Sequence, residues 1–173
     1  MGSVPILSET PPPAETALNT PSTTKATSAS GYDIRPLSAA KREEYAASLT
    51  PEERRILLNQ GTEPPFCGTL LNNKQNGIYA CRLCGLPLYQ ADAKFESGTG
   101  WPSFYQAIDP DHVRELRDSS HGMVRTEIRC ARCDGHLGHV FDDGPPPTRR
   151  RHCLNSASME FYPAGKEPVQ KTA

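Results

Sequence analysis

Two four-residue stretches organise this sequence, Cys81-Arg82-Leu83-Cys84 and Cys130-Ala131-Arg132-Cys133. A spacing of two residues lets a tight backbone knuckle point both sulfur atoms at one ion, and two knuckles complete a tetrahedral four-thiolate site. We therefore expect one structural zinc ion per chain, held by these four cysteines. Gly85 and Gly135 follow the knuckles and are expected to supply the backbone freedom that such turns use. Because a closed four-thiolate site has no open coordination position, the zinc is predicted not to be catalytic.

Two other interpretations of the knuckles explain fewer residues. A thioredoxin-like redox motif accounts for one Cys-x-x-Cys pair and leaves the other without a task. A Cys2His2 site built from the second knuckle with His136 and His139 leaves the first knuckle without a partner.

The sequence after residue 77 indicates short β-strands broken by Gly and Pro. Residues 122–130 alternate, which places Val124, Thr126, Ile128 and Cys130 on one face of a strand. Residues 151–161 alternate in the same way. One side of that second strand would carry Arg151, Cys153, Asn155, Ala157, Met159 and Phe161.

Two helices are predicted before this β-rich region. The first begins at Ser38, and the second has Thr50 as N-cap, Pro51 at its first position and Glu53 completing a capping box. Gly61 is the expected stop of the second helix.

The composition indicates one domain with a tail at each end. Residues 1–34, rich in Pro, Ser and Thr, are predicted to be disordered; residues 35–165 form the domain, and residues 166–173 form a C-terminal tail. The tail shows no secretory pattern, so we expect the cytosol, with an organelle as the alternative. The formal net charge of −1 argues against a nucleic-acid binder, and no apolar run is long enough to span a bilayer.

Two cysteines stand outside the knuckles, Cys67 and Cys153. A lone cysteine is most often a small buried hydrophobe. On an extended strand, however, Arg151 and Asn155 project to the same face as Cys153, where a guanidinium favours thiolate and an amide can donate to a substrate oxygen. Cys153 is therefore the candidate nucleophile.

Other candidate site residues lie close to glycines. His136 and His139 offer imidazoles that exchange protons near neutral pH, and Trp101, between Gly100 and Pro102, is either a core aromatic or one wall of an apolar pocket. With no cofactor motif, this chemistry indicates a thiol-dependent redox enzyme or a cysteine hydrolase.

Taken together, the chain resembles the B-type methionine sulfoxide reductases. The resemblance covers roughly residues 36–162 in order, including both knuckles. Its stretches are Gly61-Thr62-Glu63-Pro64-Pro65-Phe66, Lys94-Phe95-Glu96-Ser97-Gly98-Thr99-Gly100-Trp101-Pro102-Ser103-Phe104, Gly122-Met123-Val124-Arg125-Thr126-Glu127, His136-Leu137-Gly138-His139-Val140-Phe141-Asp142-Asp143-Gly144 and Arg151-His152-Cys153-Leu154-Asn155-Ser156-Ala157-Ser158.

The resemblance implies a mainly β fold, a β-tent of two antiparallel sheets with structural zinc on the far side from the active site. It implies reduction of the R epimer of methionine sulfoxide, chiefly in proteins and less well as the free amino acid. Cys153 matches the family's nucleophile, and the substrate pocket is matched by Trp101, His136, His139, Arg151 and Asn155. No organic cofactor is expected, and a monomer suffices. Either histidine can be the proton donor.

One position departs from the family pattern. Many members carry a resolving cysteine where this sequence has Thr99, and some members that lack it use a cysteine at the position of Cys67. The resemblance thus implies that Cys67 forms a disulfide with Cys153, which thioredoxin then reduces. Direct reduction of a Cys153 sulfenic acid remains the alternative.

Two further functional classes fit parts of the sequence. A non-catalytic zinc β-tent that binds ligands would have no use for Cys153 beside Arg151 and Asn155. A peroxide sensor that pairs Cys153 with Cys67 would leave Trp101 without a role.

Overall fold

The computed structural model describes residues 25–173, within which two α-helices precede nine β-strands. The helices are α1 (Ala39–Ala46) and α2 (Pro51–Asn59). The strands are β1 (Gly77–Cys81), β2 (Pro87–Gln90), β3 (Lys94–Phe95), β4 (Ser103–Phe104), β5 (Val113–Asp118), β6 (Arg125–Cys130), β7 (His136–Phe141), β8 (Arg151–Leu154) and β9 (Met159–Pro163).

The strands form two antiparallel sheets. One has three strands in the order β2-β1-β9, and the other has six in the order β3-β4-β8-β7-β6-β5. The prediction of a mainly β fold with two antiparallel sheets and short N-terminal helices is confirmed. In the larger sheet, the second knuckle connects β6 to β7, and β7 lies beside β8, the strand of Cys153.

The core is apolar and aromatic. Tyr79 of β1 packs edge-on against Phe104 of β4 with ring centroids 5.0 Å apart, and Tyr89 of β2 stacks on Phe104 at 4.6 Å. All three rings are fully buried, and the Tyr89 hydroxyl lies 2.9 Å from Nδ1 of His152. This packing uses one face of the larger sheet and leaves the other face for polar chemistry.

The two helices begin where the sequence predicts. Ser38 caps α1, and Thr50 with Glu53 forms the capping box of α2. Gly61 does not play the predicted part: the left-handed residue after α2 is Gln60, at φ 55°. Position 61 favours a glycine for a different reason: a Cβ added there would lie 2.8 Å from the carbonyl oxygen of Arg55.

The predicted single strand over residues 151–161 is wrong. The chain leaves the larger sheet after Leu154, makes a 3₁₀ turn at Ser156–Ser158 and joins the smaller sheet as β9. Asn155 and serine side chains hydrogen-bond to neighbouring backbone, which competes with the strand ladder. Asn155 therefore follows a strand and does not share one with Cys153.

The predicted strand over residues 122–130 is shorter than expected. It begins at Arg125, so Val124 lies outside it and is 67% exposed. Glu127, on the opposite face from Ile128, is also buried.

Part of the predicted N-terminal tail packs on the domain. Ser28 and Ile34 are buried, and Ser30 hydrogen-bonds through its amide and hydroxyl to the Asp109 carboxylate. The remainder of the predicted tail, residues 1–24, lies outside the described residues. Both α-helices of the described part are too short to cross a membrane.

Candidate active site and metal centre

The four knuckle cysteines come together at the junction of the two sheets. All four are buried, and their sulfur atoms lie within 4.8 Å of one another. The Sγ atoms of Cys81 and Cys133 are 3.5 Å apart, and those of Cys84 and Cys130 are 3.6 Å apart. A zinc ion with Zn–S bonds of about 2.3 Å requires tetrahedral sulfurs separated by about 3.8 Å. The cluster therefore has the donor atoms and the size for such an ion.

The two knuckles turn by different means. In the first, Gly85 takes the left-handed conformation at φ +78°, as predicted. In the second, the left-handed residue is Asp134 at φ 61°, so the expected role of Gly135 is wrong. Gly135 instead makes room, because an added Cβ would lie 3.0 Å from Cδ2 of Leu57 on α2 and 3.2 Å from the Cys133 sulfur.

A row of polar side chains crosses the larger sheet on the face opposite the core. Ser103 of β4 pairs with Cys153 of β8, Cys153 pairs with His139 of β7, and His139 pairs with Glu127 of β6. Directly paired residues of antiparallel strands have Cβ atoms about 4.5–5.5 Å apart on the same face. The sheet thus places the Cys153 thiol between a hydroxyl and an imidazole.

A bulge in β7 brings the second histidine to this face. Residues three apart on a regular strand point to opposite sides, but the register skips Leu137 between the pairs Ile128↔Gly138 and Arg129↔His136. His136 and His139 consequently lie together, with ring centroids 5.5 Å apart.

Each histidine is oriented by a carboxylate. Nδ1 of His136 lies 2.9 Å from Glu127, and Nε2 of His139 lies 2.8 Å from Asp118. Burial raises the pKa of Glu127, but hydrogen bonds from His136 and Arg129 outweigh this effect and lower it to about 2. Burial lowers the pKa of His139, although Asp118 acts in the opposite direction. His139 is therefore neutral at rest near pH 7.

One polar atom of this cluster has no partner. Nε2 of His136 is buried and makes no hydrogen bond with any group in residues 25–173. A buried imidazole nitrogen without a partner costs free energy, and a bound ligand or water would remove that cost.

Opposing influences act on the Cys153 thiol. Burial raises its pKa, while the charge of Arg151 and the Thr99 side chain lower it by less. The expected effect of Arg151 is present, yet burial dominates, so the resting group is a thiol. Arg151 itself is held by a two-pronged ion pair with Asp143 at 2.9 and 3.2 Å and lies over the Phe141 ring at 4.4 Å.

Trp101 lies in a loop beside this row. Its indole N–H donates to the backbone oxygen of Glu63 at 3.0 Å. The ring forms part of the wall of a cavity of about 140 Å³, which we call the Trp101 recess. Phe66, Leu71, Phe95 and Pro102 supply its other large apolar walls, and Ser103, the strand partner of Cys153, also lines it.

Asn155 lies near the row, but its amide is already engaged. Its Nδ2 donates to the Leu137 carbonyl at 3.2 Å, and its Oδ1 accepts from the Glu63 amide at 3.1 Å. The geometry therefore gives Asn155 a part in holding backbone.

Cys67 lies on an exposed loop, and both Cys67 and Cys153 are free thiols. The preceding residue, Phe66, has a left-handed φ of 63° and donates its amide to Gly100 at 2.7 Å. Further along, the Leu70 amide donates to Ser156 Oγ at 3.2 Å. The loop is thus attached both beside Trp101 and just after Cys153.

Sequence reasoning assigned no contact with the predicted residues to four groups that surround them: Glu63, Thr99, Asp118 and Glu127. A polar residue inside an alternating strand could have drawn attention to Glu127. Asp118 and Glu63 reach the site from distant segments, so no local pattern marks them.

Comparison with known proteins agrees with this geometry. The SelR domain family model matches residues 49–163. A protein of Caulobacter vibrioides named peptide methionine sulfoxide reductase MsrB is 60% identical over 138 residues, covering 80% of this chain and 87% of that protein. Proteins of the same name from Xylella fastidiosa and Thiobacillus denitrificans are 60% and 57% identical, covering 78% and 69% of this chain and 86% and 91% of their own lengths. The chain therefore belongs to the SelR domain family.

Proposed function

We propose that this protein reduces the R epimer of methionine sulfoxide in polypeptides, and less well as the free amino acid, with Cys153 as the nucleophile. The observation that carries the proposal is the strand pairing of Cys153 with His139 across β7 and β8, in a chain so similar to peptide methionine sulfoxide reductases. Each class of these reductases acts on one sulfoxide epimer.

The first step transfers one oxygen atom. The Cys153 sulfur attacks the sulfoxide sulfur, the S–O bond of the substrate breaks, and the oxygen becomes the hydroxyl of a Cys153 sulfenic acid while methionine leaves. The substrate sulfur gains two electrons and the Cys153 sulfur loses two, and the thiol proton balances the hydroxyl.

His139 is the proposed carrier of that proton. Asp118 holds Nε2 as the protonated nitrogen, which leaves Nδ1 to accept the thiol proton and deliver it to the sulfoxide oxygen. Positioned proton transfer of this kind contributes roughly 10²–10⁴-fold to rates. His136, whose unpartnered Nε2 can contact the same oxygen, is the other candidate donor.

Trp101 and the apolar side chains around it are proposed to hold the substrate methyl group and so select the epimer by shape. Arg151 is proposed to favour the thiolate during attack. Asn155, whose amide bonds to backbone, supports the turn after the nucleophile instead of contacting substrate.

Cys67 is the proposed resolving residue. Its thiol condenses with the Cys153 sulfenic acid to give a disulfide and water, and reduced thioredoxin restores both thiols by exchange. The attachment of the Cys67 loop to Ser156, three residues after Cys153, supports this role. The expected compartment, the cytosol, supplies thioredoxin, and the reaction needs one subunit.

Zinc is the proposed occupant of the cysteine cluster. Cys81, Cys84, Cys130 and Cys133 supply four soft thiolates and so fill its tetrahedral coordination. When bound, the ion cross-links the sheets, and no reaction step passes through it.

The direct test is incubation with racemic N-blocked methionine sulfoxide and a small dithiol, followed by chiral chromatography. We expect the R epimer alone to be consumed. If a folded, metal-loaded protein consumes neither epimer, the result would instead favour a ligand-binding module. With thioredoxin as the reductant, Cys67→Ser should lose turnover; full turnover would show direct reduction of the sulfenic acid.

A further inference from the structure

Glu63 is a buried carboxylate that the proposed reaction does not use. The residue is 7% exposed, and it lies in the stretch between α2 and Cys67. A carboxylate removed from water needs partners, because burying an ion without them costs several kcal/mol. The partners of Glu63 show what it holds together.

The carboxylate binds the turn that follows the nucleophile strand. The Ser156 amide donates to Oε1 at 2.6 Å, and the Ala157 amide donates to Oε2 at 3.3 Å. Charge-assisted bonds of this kind are short and roughly twice as strong as neutral ones. They fix the backbone three and four residues after Cys153.

The backbone of Glu63 holds two predicted site residues. Its carbonyl accepts the indole N–H of Trp101 at 3.0 Å, and its amide donates to Oδ1 of Asn155 at 3.1 Å. The wall of the recess and the turn after Cys153 are thus attached to the same residue.

Gly68 allows the Cys67 loop to reach this carboxylate. A Cβ added at Gly68 would lie 2.6 Å from Oε1 of Glu63 and would also collide with the Ser156 hydroxyl. Any side chain at Gly68 would push the loop away, so the absence of one keeps Cys67 close to Glu63.

Glu63 also contributes charge. The charged and titratable groups around Cys153 are Arg151 on its own strand, His139 on β7 with Asp118 behind it, and Glu63 from the loop. His136 and Glu127 lie on the far side of His139. The negative charge of Glu63 raises the pKa of the Cys153 thiol, opposite to the effect of Arg151.

We propose that Glu63 is a positioning residue of the sulfoxide reduction: it couples the Cys67 loop and Trp101 to the turn after Cys153, and its charge shapes the field in which that thiol reacts. This inference rests on the proposed function for its kinetic consequence, whereas its effect on the Cys153 thiol is independent of the substrate.

Two substitutions change the charge and the hydrogen bonds in different combinations. Glu63→Gln removes the charge and leaves one oxygen to accept from one of the two amides, whereas Glu63→Asp keeps the charge but is too short to span both amides. Glu167→Gln, at an exposed position, is the matched control. Each is made in the full chain carrying Cys67→Ser, and the rate of Cys153 alkylation by iodoacetamide is followed against pH.

We expect Glu63→Gln to move the alkylation midpoint to lower pH, with reaction up to roughly threefold faster below the midpoint. Glu63→Asp and Glu167→Gln should leave the midpoint in place. An unchanged midpoint in a folded Glu63→Gln protein overturns the electrostatic part. If that variant fails to fold, an Asp variant that alkylates at the parent midpoint and keeps the parent kcat overturns the proposal.

Kinetics with N-blocked sulfoxide and a dithiol test the positioning, with Cys67 present. Both Glu63 variants should lose kcat by up to about 10²-fold, since a misplacement of about 1 Å costs that much, and the emission of Trp101 should shift. Parent kcat in both variants overturns the positioning role. If the unsubstituted protein reduces no sulfoxide, the proposed function fails, while the alkylation profile still decides the inference.

Discussion

The reactivity of Cys153 depends on a balance between burial and charge. Burial raises the thiol pKa, and Arg151 lowers it from two positions before on the same strand. Asp143 and the Phe141 ring both contact the guanidinium. In the proposed reaction, the thiol ionises when a base such as His139 takes its proton.

Replacing Arg151 tests this balance. Arg151→Met removes the positive charge, so the pKa of Cys153 should rise and alkylation at pH 7 should slow several-fold. The measurement is the iodoacetamide rate against pH. Arg117→Met, at an exposed position on β5, is the control and should follow the parent curve. A midpoint that stays or falls in Arg151→Met would contradict the assignment.

Among the elements, β7 contributes most to the site. Its bulge at Leu137 puts two histidines of spacing three on one face, while Leu137 itself is fully buried in the core. Helix α2 packs behind this strand: Ile56 and Leu57 are buried, and Gln60 donates to Glu127 at 3.4 Å. The end of α2 therefore supports the carboxylate that orients His136.

The capping box of α2 gives a stability prediction. Thr50→Ala removes the hydroxyl that accepts a hydrogen bond from the Glu53 amide. We therefore expect a loss of about 1 kcal/mol in the free energy of unfolding. Urea denaturation of the metal-loaded protein measures this, with Thr69→Ala as the exposed control. A change within the ~0.5 kcal/mol typical of surface substitutions would show that the box does not stabilise α2.

Elements with strong local signals could be predicted from the sequence, and elements shaped by distant contacts could not. Ser38 and Thr50 mark their helices because caps act within one turn. The alternation of residues 151–161 suggests one strand, yet Asn155 bonds to Leu137 and breaks it. Likewise, the predicted candidate residues Cys153 and His139 do lie together. Asp118, however, reaches the site through strand pairing and Glu63 through contacts of a loop, and no local pattern encodes either.

At the scale of the whole molecule, the cysteine cluster joins the two sheets. Cys81 ends β1 of the smaller sheet, and Cys130 ends β6 of the larger one. The C-terminal residues and the segment around Asp33 pack beside the first knuckle. The Lys171 amide donates to the Cys84 carbonyl at 2.9 Å, and the Gln170 side chain bonds to Asp33.

Removal of the metal should therefore unfold the domain. A four-thiolate zinc site contributes on the order of 10 kcal/mol, which is comparable to the whole stability of a typical domain. We expect about one zinc per chain by elemental analysis, and a large fall in melting temperature after chelation or in Cys130→Ser. Cys67→Ser should keep its metal and melt like the parent. A metal-free protein that melts at the parent temperature would contradict a structural role.

The central claim, that Cys153 takes the sulfoxide oxygen and Cys67 then closes a disulfide, is tested most directly by a single turnover without reductant. The protein is mixed with excess N-blocked methionine-R-sulfoxide, and methionine release and the cysteine state are read by mass spectrometry. We predict about one methionine per chain with a Cys67–Cys153 disulfide, a trappable sulfenic acid at Cys153 in Cys67→Ser, and no methionine from Cys153→Ser. Methionine released by a folded Cys153→Ser protein would contradict the account.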